Sequence, residues 1–368
     1  MFFVLCLSFG LSLFTAMLVV RRARGHAGRY GYAKPQRFHV GDVPRLGGVA
    51  IAVGMALAWG AAALAHHHGG NAGNLHIDGT LALGWALVLL PAFAGGVIED
   101  LTQRLHLLYR LGLTGVSASA AMLLLDVAVP RLGMDGVDAL LAGAPWLGMA
   151  IAFIAITGLP HAFNIIDGYN GLSGMVALIV SLALIYVALQ VGDRQLAGML
   201  VCMTGATGGF LVLNYPRGMV FAGDCGAYVW GIIVALGSLV LVQRHDMVSP
   251  WFPMLLLIYP VWETLFSMYR KMARGVSPGV ADALHFHQLV YRRIVHGVFH
   301  DDESRRVLMR NNRTSPYLWA FTLLTVVPAV LFWRNTGVLM AFCALFVVTY
   351  VAAYLMIIRF KVPRWLRK

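Results

Sequence analysis

Residues 81–100 read LALGWALVLLPAFAGGVIED. Eighteen residues pass without a charge, and two adjacent carboxylates, Glu99 and Asp100, close the run. A bilayer core needs about 20 apolar residues in a helix, so this stretch is a membrane span that ends on acids at one face. The pattern recurs along the chain. Eleven apolar segments are expected: Phe2–Val20, Leu46–Ala65, Leu81–Ile98, Leu111–Val129, Trp146–Phe163, Leu172–Leu189, Leu196–Leu213, Ala227–Val242, Trp251–Ser267, Tyr317–Trp333 and Gly337–Ile358. Hydrocarbon offers the backbone no hydrogen-bond partners, so these segments are helices. The ten-residue alternation of a membrane barrel is missing. The expected fold is an all-α, polytopic helical bundle, one domain over residues 1–368, without linker or internal repeat.

Composition agrees. Of the 368 residues 59% are hydrophobic and 12% charged, too little charge to cover a soluble protein of this size. Net charge is +12, and its placement says more than its sum. Loops after odd-numbered segments hold 24 of the 28 Lys and Arg residues; the other side holds Arg131, Arg194, Arg244 and Arg334. The positive-inside rule puts the odd loops in the cytoplasm, the N-terminus outside and the C-terminus inside. Basic loops beside spans set topology and attract anionic lipid, so the high charge does not indicate a nucleic-acid partner. The first segment lacks a basic leader and reads as a retained helix rather than a signal peptide. Cys6, Cys202, Cys225 and Cys343 are scattered, without disulfide or zinc spacing. The outer loop 65–80 carries His66, His67, His68 and His76; no acid or Cys is positioned to complete a metal site, so it reads as a solvated loop.

The polar chemistry falls on the cytoplasm-directed loops. Asn164, Asp167, Gly168, Asn170 and Gly171 lie between segments five and six. Three polar side chains within seven positions exceed what helix caps need. Asn and Asp supply oxygen ligands for a hard cation and partners for a sugar or base, and glycine allows close backbone approach. Gly223-Asp224 follows segment seven, where Asp224 opens the next helix. It serves there either as an N-cap or beside an anion or metal–phosphate assembly. Glu99 and Asp100 repel each other at a membrane boundary unless a metal, a base role or cations such as Arg104 and Arg110 offset the cost. Asp282, His285, His287 and Gln288 lie in the long basic loop. On an extended segment both histidines point to one side, where phosphate contact, helped by Arg270, Lys271, Arg274, Arg292 and Arg293, is favoured over metal. Lys34 and Pro44-Arg45-Leu46-Gly47-Gly48 form a basic small-residue turn before segment two. Glu263 is a supporting acid, with Arg270 as its expected partner. Short surface helices are expected over Val290–Phe299 and Asp301–Met309.

These five stretches, in order from Pro44 to His287, resemble the polyprenyl-phosphate N-acetylhexosamine-1-phosphate transferase family, also called glycosyltransferase family 4. The resemblance implies a cytoplasmic-face site in a multi-pass protein of the bacterial inner (plasma) membrane. It implies transfer of N-acetylhexosamine 1-phosphate from a UDP-sugar to undecaprenyl phosphate with release of UMP, initiating O-antigen or capsule-type surface glycans. The partners implied are undecaprenyl phosphate, a UDP-N-acetylhexosamine and membrane lipid; a homodimer is left open. The cofactor implied is Mg2+, with Mn2+ as a substitute, because two anionic phosphates must approach each other. By position, Asn164 and Asp224 are the implied metal ligands, and Glu99 and Asp100 the pair that orients or deprotonates the lipid phosphate. Asp167 is an acid at the heart of the site. Gly168, Asn170 and Phe221 fall where the uridine part is held, and His285 and His287 where diphosphate and sugar are held. Lys34 and Arg45 fall in the matching basic turn. The chain departs from the family at Glu99, where Asp is usual, and at Cys225-Gly226-Ala227, where Thr-Gly-Ser is common. A third departure is Gln288, where a third His is frequent. That ending differs from the peptidoglycan muramoyl-pentapeptide variant.

A polytopic transporter or lipid flippase is the alternative. It would place ionisable groups mid-membrane along a path, whereas the acids here cluster at helix ends.

Overall fold

The computed structural model describes residues 1–23, 25, 42–67, 77–277, 284–295, 297–298 and 300–359, without the side chains of His66 and His67. Lys34, His68, His76 and Asp282 lie outside the described residues. Among the described residues the structure is helical, and ten helices are long and apolar enough to cross a membrane.

In chain order these are α1 (Phe2–Arg22), α2 (Gly47–His67, its apolar stretch ending at Ala65), α3 (Gly79–Thr102), α4 (Leu107–Leu125), α6 (Pro145–Ile166), α7 (Leu172–Gln190), α8 (Arg194–Asn214), α9 (Gly223–Arg244), α13 (Glu303–Leu331) and α14 (Thr336–Ile358). A short helix, α5 (Asp135–Gly143), lies between α4 and α6.

The ninth apolar segment is not one helix. It forms α10 (Trp251–Leu256) and α11 (Ile258–Met272), broken at Leu257. Pro260 has no N–H to give the Leu256 carbonyl four residues back, so the ladder stops there. The broken pair still crosses. At one end Ser249 N–H donates to the Trp333 carbonyl and Trp251 Nε1 to the Leu132 carbonyl. At the other Arg270 donates to the Leu284 carbonyl, beside the histidine motif. Among the described residues this broken pair runs alongside the ten continuous candidate spans.

Of the expected surface helices, the first begins as a π-turn over Val290–Ile294 that continues α12 (Phe286–Leu289), and its residues 296 and 299 lie outside the described residues. The second is absorbed into α13, whose N-cap Asp302 accepts from Ser304 and Arg305 N–H. At 29 residues α13 is about 44 Å long, more than the bilayer core needs, so its first turns stand beyond the bilayer.

α9 is the axis of the bundle and is buried along nearly its whole length, against α3, α6 and α2. Glycines set the close crossings: Gly96 faces the Cys225 backbone, Gly48 that of Gly226, and Gly231 that of Pro160. Between helices in lipid such small-residue contacts replace the hydrophobic effect as the source of packing. At the far end Arg131 Nη2 donates to the carbonyls of Val242, His245 and Val248, a cation on the C-terminus of α9.

Candidate active site

The opposite end of α9 organises the site. Asp100, on α3, accepts Asp224 N–H through Oδ1 and Cys225 N–H through Oδ2, each at 2.9 Å. A carboxylate from another helix therefore meets the free N–H groups and the positive dipole end of α9. Gly223 makes this approach possible: its φ is +72°, and a Cβ there would run into the Arg45 carbonyl and the Asp100 carboxylate. The Pro44–Gly48 turn is tied to the same place. Phe221 N–H donates to the Pro44 carbonyl, Gly47 N–H to Phe221 and Gly48 N–H to Ala222.

With Asp100 capping α9, the Asp224 side chain is not an N-cap. It faces the site and is buried. Asn164 Nδ2 donates to its Oδ1 at 2.9 Å, Arg110 Nη1 lies 3.0 Å from its Oδ2, and Arg45 Nη2 lies 3.7 Å from Oδ1. Asn164 and Asp224, 60 residues apart in sequence, thus meet side chain to side chain. Glu99 and Asp100 diverge, as neighbours on a helix must. Glu99 accepts Leu105 N–H at 2.8 Å and lies 3.7 Å from Arg110.

The loop after α6 lies alongside. Ser173 Oγ donates to Asp167 Oδ1. The Asp167 residue keeps some contact with solvent, but its carboxyl is walled in. That desolvation pushes it up to about 6, against the opposing pull of Ser173 and Arg45. A Cβ on Gly168 would lie 3.1 Å from His287 Nε2, so the loop touches the histidine motif. The rings of His285 and His287 stack at 5.4 Å with a 5° tilt. They share a side, as expected, with His285 as the extended N-cap of α12 and His287 inside its first turn. His287 also meets Tyr169 edge-on at 5.7 Å.

Glu263 is fully buried and accepts from three groups: His285 Nδ1 at 3.0 Å, Phe286 N–H at 3.1 Å and the Tyr350 hydroxyl at 2.6 Å. Its partner is His285 and not Arg270, because seven residues of helix separate Glu263 and Arg270 by about 10 Å. Arg270 is instead buried, bonded to the Leu284 carbonyl and the Tyr354 hydroxyl and lying over the Phe266 and Tyr354 rings. It anchors the loop rather than offering its charge to a phosphate. Arg292 is exposed on the π-turn.

Asn170 is held by α13. Its N–H donates to Asn311 Oδ1, its Nδ2 to Asn312 Oδ1, and its carbonyl accepts from Ser315. Its buried Oδ1 has no hydrogen-bond partner among the described residues. Asn214 accepts Gly171 N–H and donates to the Val220 carbonyl, tying the two polar loops together. Sequence reading passed over Asn214, Asn311, Asn312 and Ser315, as well as His161, which bonds Thr114. An amide ending an apolar run and an Asn pair in a basic stretch were the available signals.

The donor set fits a hard divalent cation. Asp224 Oδ2 is buried and makes no well-aligned hydrogen bond, with Arg110 Nη1 3.0 Å away, and Asn164 turns its Nδ2 to Oδ1 of the same carboxylate. With the Asn164 amide turned to present its oxygen, these two side chains would hold Mg2+, with phosphate and water completing the shell. Among the described residues no three His, Cys, Asp or Glu side chains gather into a metal cage.

Residues 82–242 match the family described as glycosyl transferase family 4, a span that includes Glu99, Asp100, Asn164, Asp167 and Asp224. The chain is 23% identical over 309 residues to a probable undecaprenyl-phosphate N-acetylglucosaminyl 1-phosphate transferase of Bacillus subtilis, covering 80% of this chain and 78% of that relative. It is 30% identical over 181 residues to a phospho-N-acetylmuramoyl-pentapeptide-transferase of Moorella thermoacetica, 46% of this chain and 54% of that one. Against an undecaprenyl-phosphate alpha-N-acetylglucosaminyl 1-phosphate transferase of Thermotoga maritima, identity is 27% over 208 residues, 56% and 61% of the two chains. The match thus spans little more than half the length of the latter two relatives.

Proposed function

We propose, from the match of residues 82–242 to glycosyl transferase family 4, that the chain transfers N-acetylhexosamine 1-phosphate from a UDP-sugar to undecaprenyl phosphate, releasing UMP. The observation that carries the reading is the meeting of Asn164, Asp224, Arg45 and Arg110 at the N-terminus of α9. A carboxylate flanked by an amide and two guanidinium groups at a helix N-terminus suits a reaction between two phosphate anions. The relatives named for undecaprenyl phosphate support the acceptor.

In this reading Asn164 and Asp224 would hold Mg2+ or Mn2+, which would supply positive charge to the donor diphosphate. Arg45 and Arg110 offset the remaining anionic charge and orient the two phosphates for in-line attack. Asp167 holds or accepts a proton at its carboxyl. His285 and His287, braced by Glu263, line the donor side with Gly168 and Asn170. Asp100 acts chiefly by fixing the N-terminus of α9, and Glu99 by positioning Arg110. The acids of the site lie at helix ends on one face, which favours an enzyme over a transporter or flippase. That face is the cytoplasmic one by the charge distribution, with surface-glycan initiation as the expected role.

The test is UMP release by purified protein given undecaprenyl phosphate, divalent cation and a panel of UDP-sugars. Release that needs the lipid, the cation and one UDP-N-acetylhexosamine is expected, and chelation should abolish it. Turnover that ignores the lipid would refute the reading.

A further inference from the structure

One helical turn beyond Asp224, on the bilayer side, lies Tyr228. It is fully buried, and its hydroxyl has no hydrogen-bond partner among the described residues. Arg110 Nε, also buried, is likewise unbonded there. Tyr228 stands within electrostatic reach of both Asp224 and Arg110.

The phenol is held firmly even so. His161 meets its ring edge-on, with centroids 5.2 Å apart and a 65° tilt. His161 is itself fixed: its Nε2 lies 3.1 Å from Thr114 Oγ1. The one hydroxyl proton of Thr114 is directed at the Arg110 and Leu111 carbonyls of its own helix, at 3.1 and 3.0 Å. Nε2 therefore carries the proton and donates to Thr114. Two helices, α4 and α6, thus brace a buried hydroxyl that makes no bond within the protein. A buried polar group left unmet is costly, and a ligand that meets it is the straightforward account.

The ligand's chemistry follows from the atoms. Tyr228 O–H and Arg110 Nε–H are both donors, so the group that meets them is an acceptor, and beside a guanidinium charge an oxyanion is the acceptor that fits best. Its source follows from depth. Tyr228 lies about 6 Å along α9 from Asp224, toward the bilayer interior. Around Arg110 the flank of α4 is open to lipid through Leu108 and Tyr109, each 68% exposed. Building on the transfer reading above, we propose that Tyr228 and Arg110 Nε form an oxyanion subsite for the phosphate of the lipid-borne acceptor, with His161 and Thr114 positioning the phenol.

The test is Tyr228→Phe, which removes only the hydroxyl. KM for undecaprenyl phosphate should rise about ten-fold or more, and KM for the UDP-sugar should stay within about two-fold. Because the hydroxyl is unmet without ligand, the ligand-free variant should melt at or above the wild-type temperature. Undecaprenyl phosphate alone should stabilise the wild type, undecaprenol should not, and the gain should shrink in the variant. An acceptor KM within about two-fold of wild type, or a change in donor KM instead, would overturn the subsite. A lower ligand-free melting temperature with both constants unchanged would make Tyr228 structural and overturn it too. Wild-type protein that binds the lipid phosphate without turnover would sink the transfer reading and leave the subsite standing on the melting data. Wild-type protein blind to the lipid phosphate would sink the subsite.

Discussion

Asp224 sits between an amide and two guanidinium groups, with its backbone N–H held by another acid. Replacing it with Asn keeps the shape and removes the charge, so Asp224→Asn should lower UMP release about 100-fold or more while the protein still inserts and folds. Retained turnover would count against its metal and phosphate role. Asp167 gives a pH signature. Its folded value, pushed up to about 6, lies above the ordinary carboxylate value. The folded chain therefore keeps a proton that the unfolded chain has released. Stability from this group falls as pH rises through that window and is level above it. If the carboxylate is the working form, transfer should fall as pH drops through about 6, and Asp167→Asn should remove that inflection. An inflection unchanged in the variant would assign it to another group. Glu263 accepts from three donors. Glu263→Gln turns an N–H2 toward one of them, so about 1–3 kcal/mol of stability should be lost, and donor KM should rise more than acceptor KM. Thermal unfolding and steady-state kinetics check the two parts. At this scale the sequence was legible where polar residues interrupt an apolar run, as in Asn164 to Gly171. It was silent on partnership: Asp224 read equally well as an N-cap until Asp100 was seen in that place, and Glu263 was paired with the wrong cation.

α9 shows how an element turns packing into chemistry. Its glycine crossings bring α2 and α3 close enough for Arg45 and Asp100 to reach its first turn. Gly223→Ala adds a Cβ against the Arg45 carbonyl and Asp100 at a backbone angle that L side chains rarely adopt. The variant should lose activity and melt several degrees lower, although no polar group has been removed. A variant of wild-type activity and melting temperature would contradict the close-packed α9 terminus. Spans were legible because hydrocarbon forces helices of fixed length. Interruptions were not: the break at Leu257 depends on Pro260 denying a bond to Leu256, whereas Pro91, Pro160, Pro316 and Pro328 all lie inside continuous helices. The latch of α13 on Asn170 also escaped, since 141 residues separate Asn170 from Asn311.

Across the whole molecule, ten continuous helices and one broken one bring Asp100, Asn164, Asp224 and His285 to one end of the described bundle. The loops after odd-numbered segments carry most of the Lys and Arg. That concentration was legible from charge counting alone, because topology and a site for anions draw cations to the same side. The choice of donor sugar in the proposed reaction was not, because sugar recognition depends on contacts that residue types alone do not give. The proposal that the phosphate nearest the sugar travels with it is tested by labelling. UDP-N-acetylglucosamine or its epimers carrying labelled β-phosphate would be incubated with the protein and undecaprenyl phosphate. The account predicts the label in the lipid phase and unlabelled UMP in water; labelled UDP in water, with bare sugar on the lipid, would contradict it.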